Sequence, residues 1–368
     1  MAKTASTNPK GSGRKSNYDR MLINKETAEQ TVDFVFTVLE NVLEEFHHDL
    51  NFPETFGQNL SKTETTENIV PPAPDPITIP PGTPKPKTRG ILLLAMGHPN
   101  YGEMAANLGM SIKAGSPNMP IVLVTHGRAL AHIPMYLSMF TDIITVPDEM
   151  IMKNGKVCYF KAKTHIYDLS PFDETIFLDV DTLWFQRSPI TQMFEELKNV
   201  DFTIETRGTM KGKWFWGDIE EVKKKLNITT RVADVHSEFI YFKKTAKNKI
   251  FFDKVKELYD NPPTKPTDFA GDIPDEYAFT IAIALLQHYP HQEKFLPLFW
   301  QNAEKPRMLS SVVENFKGLS VGGTKFPDVA KRYYETVAKS AAQRVGGYGH
   351  HYFRLRKKKT YLPERQKL

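Results

Sequence analysis

The sequence predicts an α/β fold in which a mostly parallel, mixed sheet is flanked by helices. Residues 90–96, 121–125 and 175–179 are short, nearly continuous apolar runs, as in strands that are buried on both faces. Segments with the apolar spacing of helices, such as residues 103–114 and 160–169, alternate with these runs. Strands that alternate with helices imply crossover connections and therefore parallel neighbours.

The remaining elements follow in order. Further strands are predicted at residues 142–146, 201–205 and 238–242. Further helices are predicted at residues 188–198, 248–259 and 274–287, the first opening with Ser188 and Pro189. Residues 210–218, MKGKWFWGD, are predicted to be an aromatic and basic loop. No internal repeat is visible, which excludes solenoids and propellers.

Composition places the chain among ordinary globular proteins. Its 368 residues suit one large α/β domain with appendages, and 40% are hydrophobic and 25% charged. The single cysteine, Cys158, excludes an internal disulfide and fits a reducing compartment. No apolar run approaches the ~20 residues of a membrane span, and the first residues lack the apolar core of a signal peptide. The expected location is the cytoplasm, or the host cytoplasm if the chain is viral.

Five segments are predicted from changes in composition. Residues 1–24 form a polar, disordered tail. Residues 25–60 carry an acidic amphipathic helix whose apolar stripe must dock on the main domain or on a second copy in a homodimer. Residues 61–88 form a linker with eight prolines between residues 71 and 86, at 71, 72, 74, 76, 80, 81, 84 and 86. Residues 89–305 form the main domain, and residues 306–368 a C-terminal extension with a basic tail.

Net charge is +5, and part of it lies at the two ends of the chain. Arg354, Arg356 and Lys357 to Lys359 cluster near the C-terminus, and Lys10, Arg14 and Lys15 lie near the N-terminus. Such clusters bind nucleic acid or anionic lipid, or they are solvated tails that aid solubility.

Two carboxylates stand one residue apart in the stretch 175–185, TIFLDVDTLWF. Asp179 and Asp181 follow an apolar strand, and the chain turns apolar again at Leu183. Burying an ionised carboxylate without a partner costs several kcal/mol, so such a pair holds a cation or lines a wet cleft. The end of a strand is where open α/β sheets bind ligands. The pattern therefore predicts a divalent-metal site.

With these motifs in place, the chain resembles the glycosyltransferase-A fold, and within it glycogenin-like and related nucleotide-sugar transferases. The likeness covers residues 89–289. It rests on the opening strand, a helix containing Ser111, Ile112 and Lys113, the strand PIVLVT, a helix before FLDVD, the strand SEFIYF and the downstream IPDEYAF. FLDVD is the most specific of these, because it matches an apolar strand followed by Asp-x-Asp.

The resemblance implies a donor site. Asp181 would be a direct ligand of Mn²⁺ or Mg²⁺, while Asp179 would contact the metal or the donor ribose. A third ligand is expected from the histidines of Gly346 to His351, so His350 and His351 are candidates, although the Lys-Pro-Trp that usually accompanies that histidine is absent. Arg354 would grip a phosphate.

The nucleotide is expected at the end of the first strand, where Ala95, Met96, Gly97 and Tyr101 would cradle the base and ribose. For Met96, core packing is the alternative. Lys161, with Lys163 beside it, would reach the donor phosphates from the helix before TIFLD, and solvation is the alternative for a helical lysine.

On the acceptor side, Asp275 and Glu276 begin a helix where related enzymes keep a carboxylate near the reacting sugar. They would act as general base or orient the acceptor hydroxyl, and first-turn acids that complement the helix dipole are the alternative. His236, Ser237 and Glu238 are expected to line the sugar pocket, with Glu238 as a third catalytic candidate. Trp214 and Trp216 would stack on a sugar ring or a base, or pack in the core of a long loop.

The function implied is a metal-dependent transfer of a hexose or pentose from a nucleotide sugar, UDP-linked, to a hydroxyl acceptor. The order of the matching elements favours retention of anomeric configuration. A hydroxymethylated DNA base, as modified by viral enzymes, is the first acceptor considered, since Lys and Arg would neutralise phosphate. A membrane-associated glycan precursor is the second. A nucleotidyltransferase and a non-catalytic nucleic-acid-binding or virion protein are the alternatives from other classes.

Overall fold

A six-stranded mixed sheet forms the centre of the fold. Its strands are β1 (Arg89–Gly97), β2 (Ile121–Gly127), β3 (Asp142–Thr145), β6 (Glu174–Asp179), β8 (Phe202–Met210) and β11 (Val232–Lys243). They lie in the order β3-β2-β1-β6-β11-β8. Strand β11 pairs antiparallel with both β6 and β8, whereas β1, β2, β3 and β6 pair in parallel. The predicted α/β fold with a mostly parallel sheet flanked by helices is confirmed.

This computed structural model describes residues 88–269, 272–300, 315–321, 328–345 and 351–355, which fall in one compact unit. The predicted tail 1–24, the helical segment 25–60 and all of the linker 61–88 except Thr88 lie outside these ranges. None of the helices in the described ranges combines the length and apolar character of a membrane-spanning segment.

The remaining elements surround the sheet. The helices are α1 (Pro99–Gly115), α2 (Tyr159–Thr164), α3 (Ile166–Leu169), α4 (Ile190–Glu196), α5 (Ile219–Leu226), α6 (Ala246–Asp260), α7 (Asp275–Leu286) and α8 (Asp328–Arg344). The short strands are β4 (Met152–Lys153), β5 (Lys156–Val157), β7 (Thr182–Trp184), β9 (Lys213–Trp214), β10 (Gly217–Asp218), β12 (Leu298–Trp300) and β13 (Gly318–Ser320).

Both faces of the sheet are covered. Along β1, Leu92, Leu94 and Met96 join a core cluster with residues of α2, α3, α6 and α7. Alternate side chains of a strand point to opposite faces, so Ile91 and Leu93 lie on the other side, where α1 packs on β1 and β7. Ile91 and Leu93 are fully buried. The apolar run of β1 is therefore explained by helices on both faces.

Helix α1 begins earlier than the sequence indicated. The His98 side chain caps it by accepting a hydrogen bond from the Asn100 amide, and Pro99 occupies the first turn, where a missing amide hydrogen costs nothing. Gly102 then lies so close to the backbone of Ala129 that a Cβ at this position would stand 1.9 Å from the Ala129 carbonyl oxygen. Only glycine permits this approach of the helix to the 129–132 turn.

Four further predicted elements differ from the structure. Strands β8 and β11 are longer than predicted, at 9 and 12 residues, because they continue past their apolar cores as a pair. The predicted helix 160–169 is two short helices separated at His165, which adopts φ −98° and ψ 7°. The predicted loop 210–218 contains the β9–β10 hairpin, in which Gly217 pairs with Trp214.

The part of the C-terminal extension that the structure describes packs against the main domain. Strand β13 pairs with β7, and α8 packs on α1. Residues 351–355 then lie against α1. There the Phe353 amide donates to Asn107 Oδ1 at 2.9 Å, and Asn107 Nδ2 donates to the Phe353 carbonyl at 2.7 Å. Leu355 is buried, so this short segment is anchored at several points.

One buried histidine gives the fold a dependence on pH. Burial of His288 lowers its pKa from 6.5 to about 4, and its Nε2 donates to Asn248 Oδ1 at 2.8 Å. Between pH 4 and 6.5 the unfolded chain holds a proton that the native state does not. Neutral His288 therefore contributes fully to the free energy of unfolding above pH 6.5. About 3 kcal/mol of this contribution is lost as the pH falls towards 4.

We expect His288→Gln, which keeps an N–H donor but does not titrate, to show a smaller loss of unfolding free energy between pH 7 and 4.5 than the wild type. Denaturant unfolding at the two pH values measures this. Exposed His351, changed to Gln, serves as the matched control and should keep the wild-type dependence. Equal pH dependence in His288→Gln and the wild type would contradict the assignment.

Candidate functional site

The two aspartates lie where the sequence placed them, at the carboxyl end of β6. Residues 175–178 are fully buried, and Asp179 is the last residue of the strand. The Thr182 hydroxyl donates to the Asp179 carbonyl at 2.7 Å, which closes the turn that carries Asp181 into β7. A quarter of the Asp179 side chain is exposed (25%), so the pair opens to solvent at the edge of the sheet.

Lys163 of α2 joins three elements of the site. Its Nζ lies 2.7 Å from Asp179 Oδ2 and 3.2 Å from Asp275 Oδ2. The same Nζ donates to the Ser237 hydroxyl at 3.1 Å. Its side chain is only 9% exposed, so this ammonium is held at the meeting point of α2, β6, β11 and α7. A buried charge in such a place requires partners, and these carboxylates supply them.

The charges of this network shift each other's pKa values. Burial raises the pKa of Asp179 to about 7, with Lys163 opposing the rise and Asp181 adding to it. Burial would lower the pKa of Lys163, but Asp179 and Asp275 hold it above its usual value. Lys163 is therefore protonated at neutral pH. Asp179 titrates near neutrality, so any added positive charge nearby stabilises its ionised form and lowers its pKa.

Glu276 is held by residues of β11 and of the β9–β10 hairpin. Its Oε2 accepts a 2.6 Å hydrogen bond from the Trp216 indole, and its Oε1 lies 3.4 Å from His236 Nδ1. The Ser237 amide donates to Oε1 at 3.3 Å. Burial acts to raise the pKa of Glu276, but hydrogen bonds from His236 and Trp216 hold it below its usual value. Glu276 is thus an ionised carboxylate at neutral pH.

Two further carboxyl groups lie beneath the site on neighbouring strands. Burial raises the pKa of Glu238 well above its usual value, with Asp181 and Glu205 adding to the rise. Glu205 is fully buried, and its pKa is also raised by burial. Within the described residues, neither carboxylate oxygen of Glu205 has a hydrogen-bond partner. Burial therefore disfavours the ionised form of both carboxyl groups.

The predicted nucleotide-binding residues lie at the end of β1, but only some of them reach the site. The side chains of Ala95 and Met96 are buried in the core, and their backbones pair with β2. Gly97, with φ +70°, lies under the ring of Tyr159. Burial raises the pKa of Tyr101, and the charges of Asp181 and Asp179 add to this, which places its phenol near both carboxylates.

The structure separates the two lysines of α2. Lys161 Nζ donates to the Met152 carbonyl at 3.0 Å and lies 3.4 Å from Asp260, so it faces the short β4 strand and the end of α6. Lys163 is the lysine that contacts Asp179. Sequence reasoning singled out Lys161 and missed Glu205. The signal for Glu205 was a lone acid at the end of an apolar run, TIE, comparable to the one that identified Asp179.

The C-terminal candidates lie on the segment against α1. His351 and Arg354 are both exposed, and the His351 carbonyl accepts a 3.1 Å hydrogen bond from the Tyr136 hydroxyl. His350 lies outside the described residues. Among the described residues, no group of three or more His, Cys, Asp or Glu side chains is arranged to hold a metal ion.

The donor set nevertheless fits a hard divalent cation with two protein ligands. Asp179 and Asp181 raise the pKa values of Tyr101 and Glu238, which shows that the electrostatic potential around the pair is negative. Carboxylate oxygens are the ligands that Mg²⁺ and Mn²⁺ prefer, and these ions keep several positions for phosphate and water. Two carboxylates at an open strand end are compatible with such an ion.

Comparisons with known proteins concern the fold. No family model and no curated protein matches this sequence. Among solved structures, the chain is similar to the apo form of the bifunctional glycosyltransferase WbbM, with 12% identity, a TM-score of 0.48 and coverage of 70% of this chain. The chain spans 52% of that protein, about half its length.

Two further similar structures are matched over nearly their whole length. One is the galactosyltransferase LgtC in complex with donor and acceptor sugar analogs, with 13% identity, a TM-score of 0.42 and coverage of 68% of this chain and 95% of that one. The other is mouse xyloside xylosyltransferase 1, with 14% identity, a TM-score of 0.41 and coverage of 65% and 99%. The three are glycosyltransferases, as the resemblance in the sequence implied.

Proposed function

We propose that this protein transfers a sugar from a nucleotide-sugar donor, UDP-linked, to a hydroxyl acceptor. The observation that carries the proposal is the linked network at the carboxyl edge of the sheet. There Asp179 and Asp181 leave β6, and Lys163 contacts both Asp179 and Asp275. This edge is where open α/β sheets bind nucleotides.

Asp179 and Asp181 would hold Mn²⁺ or Mg²⁺ together with the two phosphates of the donor. When bound, the cation stabilises the negative charge that grows on the diphosphate as the glycosidic bond breaks. Tyr101, whose pKa both aspartates raise, lies beside this position and borders it from α1.

Lys163 has an electrostatic role in the proposal. It is protonated at neutral pH, so it does not act as a base. Its ammonium holds Asp179 and Asp275 in fixed positions and adds a positive charge beside the departing diphosphate. Because the side chain is nearly buried, that charge acts at a low local dielectric and requires no rearrangement during the reaction.

Among the three catalytic candidates, Glu276 has the protonation state that the acceptor step requires. It is ionised, and the Trp216 indole and the Ser237 amide fix its two oxygens. Glu276 orients the acceptor hydroxyl and takes up its proton as the oxygen bonds to the sugar and the bond to diphosphate breaks. Burial disfavours the ionised form of Glu238, and Asp275 is engaged by Lys163.

The nucleotidyltransferase alternative requires a glycine-rich loop with Lys or Arg after the first strand. Here β1 leads within two residues into α1, and the segment from Gly97 to Asn100 contains no lysine or arginine. This favours sugar transfer. The basic tail on which the DNA and lipid expectations rest lies outside the described residues, apart from exposed Arg354.

The proposal is tested by incubating the full chain with a panel of nucleotide sugars, with Mn²⁺, with Mg²⁺ and with EDTA. We expect at least one UDP-sugar to release UDP in the presence of a divalent cation and none to do so in EDTA. The same sugar should raise the thermal unfolding temperature in the presence of the cation. If no nucleotide sugar is cleaved and none stabilises the protein, the proposed function is wrong.

A further inference from the structure

Three aromatic side chains form a surface cluster that the proposed donor chemistry does not use. We call it the aromatic platform, and it consists of Phe215, Trp216 and Phe269. The rings of Phe215 and Trp216 have centroids 4.4 Å apart, and those of Trp216 and Phe269 are 5.2 Å apart, both with edge-to-face geometry. The Phe215 side chain stands at the turn of the β9–β10 hairpin.

The platform is attached directly to the reacting centre. Trp216 is its central ring, and the indole of this residue donates the 2.6 Å hydrogen bond to Glu276 Oε2. A ligand that lies on Phe215 and Phe269 is therefore adjacent to the carboxylate assigned to the acceptor hydroxyl. No residue of the donor network described above lies on the platform itself.

Two of the three platform side chains are exposed to solvent. Phe215 is 70% exposed and Phe269 is 42% exposed, and both appear among the few large apolar side chains on the described surface. Scattered single residues of this kind are ordinary, but two that converge on one indole form a contiguous patch. Such patches next to an active site line ligand-binding grooves.

The backbone holds these rings in place before any ligand binds. The hairpin pairs Gly217 with Trp214, and the Trp214 ring stacks on Tyr277 of α7 with an interplanar angle of 9°. The Thr267 amide donates to the Trp216 carbonyl at 2.9 Å, and Phe269 forms an antiparallel bridge with Asp272. A preorganised surface avoids much of the entropy that a flexible loop would lose on binding.

The charges around the platform favour an uncharged, polyhydroxylated occupant. The ionised carboxylate of Glu276 lies next to it and accepts the hydrogen bond of the Trp216 indole. Carboxylates accept hydrogen bonds from hydroxyls, whereas they repel the phosphates of a nucleic acid. Exposed Lys211 and Lys213 flank the hairpin and would attract a polyanion to its outer side, but not to the position beside Glu276.

From these contacts we infer that the aromatic platform is an acceptor subsite for a neutral saccharide. The apolar C–H face of a pyranose lies on Phe215 and Phe269, and a hydroxyl at the ring edge reaches Glu276. This inference rests on the proposed sugar transfer and deepens it, since it names the acceptor class. It also assigns a role to the exposed hairpin that core packing would not explain.

Binding is measured on the full chain, without any donor, by saturation-transfer NMR. The probes are methyl glycosides of glucose, galactose, xylose and N-acetylglucosamine, together with lactose, maltose and cellobiose. At least one is expected to bind the wild type. Phe215→Ala and Phe269→Ala should each weaken that binding by about tenfold, which corresponds to about 1.4 kcal/mol.

Ile250→Ala is the matched control. Ile250 is 61% exposed, so the change removes a similarly exposed apolar side chain. Ile250 lies on α6, two residues after Asn248. The Asn248 side-chain amide donates to the Lys243 carbonyl, and Lys243 pairs with Glu174 at the start of β6, whereas Asp179 is at the end of that strand. Ile250→Ala should bind saccharide as the wild type does.

The outcomes separate the subsite from the donor reaction. Saccharide binding that depends on Phe215 supports the subsite even if no nucleotide sugar is cleaved, which would overturn only the proposed transfer. Binding of no saccharide, or equal binding by wild type and Phe215→Ala, overturns the subsite. So does Phe215-dependent binding of a DNA oligonucleotide or of phosphatidylglycerol vesicles when no saccharide binds.

Discussion

Asp181→Asn is expected to lower the rate of cation-dependent UDP release by about 100- to 1000-fold, the usual cost of removing one group that stabilises developing charge. The change keeps the shape of the side chain and removes its negative charge, so the pair at the end of β6 would hold the proposed cation more weakly. The rate is measured with the UDP-sugar that the wild type cleaves, at saturating Mn²⁺. The Mn²⁺ concentration for half-maximal activity should rise as well.

Asp253→Asn is the control for Asp181→Asn. Asp253 lies on α6, pairs with Lys249 at 2.8 Å, and has 46% of its side chain exposed. The control should release UDP at the wild-type rate. Thermal unfolding of both variants separates a loss of chemistry from a loss of folding. Release of UDP by Asp181→Asn at the wild-type rate would exclude this carboxylate as a ligand.

Lys163→Met is expected to lower the free energy of unfolding by about 3–5 kcal/mol, the cost of breaking a buried ion pair by removing one partner. The methionine fills much of the space of the lysine but leaves Asp179 and Asp275 facing each other without a cation. The loss should be larger at pH 8 than at pH 5, because Asp179 has a pKa of about 7 and is mostly protonated at the lower pH. Denaturant unfolding at both pH values measures this.

Two further variants test whether Lys163→Met loses stability because its buried ion pairs are broken. Lys256→Met breaks more exposed pairs with Asp168 and Asp253 and should cost less than about 1 kcal/mol. Adding Asp275→Asn to Lys163→Met removes one of the two facing acids and should recover part of the lost stability. If Lys163→Met is as stable as Lys256→Met at pH 8, the ammonium is not the buried centre of this network.

The parts of the fold that could be predicted are those where a local pattern has one physical explanation. Strands β1 and β6 were predicted because continuous apolar runs of strand length, between helical segments, suit a sheet covered on both faces. The aspartate pair was predicted for the opposite reason, since acids at the end of such a run conflict with burial. Both signals are contained within a few residues of sequence.

The parts that could not be predicted depend on register and on distant partners. Lys161 and Lys163 are two residues apart in a short helix, and only the packing of α2 on α7 and β6 decides which one reaches Asp179. Glu205 and Glu238 approach each other because β11 changes register against β8 between His236 and Ile240. The sequence pattern does not indicate where such a register shift occurs.

Helix α5 and the hairpin before it were missed because polar and aromatic residues obscured them. The segment 210–218 lacks the alternation of a strand, so it was predicted as a loop. In the structure, the Asp218 side chain accepts from the Glu220 and Glu221 amides and begins α5, an N-cap signal that was present in the sequence. The two strands of the hairpin have only two residues each, below the length at which periodicity is informative.

The bond between Asn107 and Phe353 has a consequence for how the protein is made. The two residues are 246 positions apart, so Asn107 leaves the ribosome long before its partner exists. Until then, the face of α1 that α8 and residues 351–355 cover is open to water or to chaperones. The sheet can assemble while synthesis continues, but this side of the nascent chain is closed only after translation has passed residue 355.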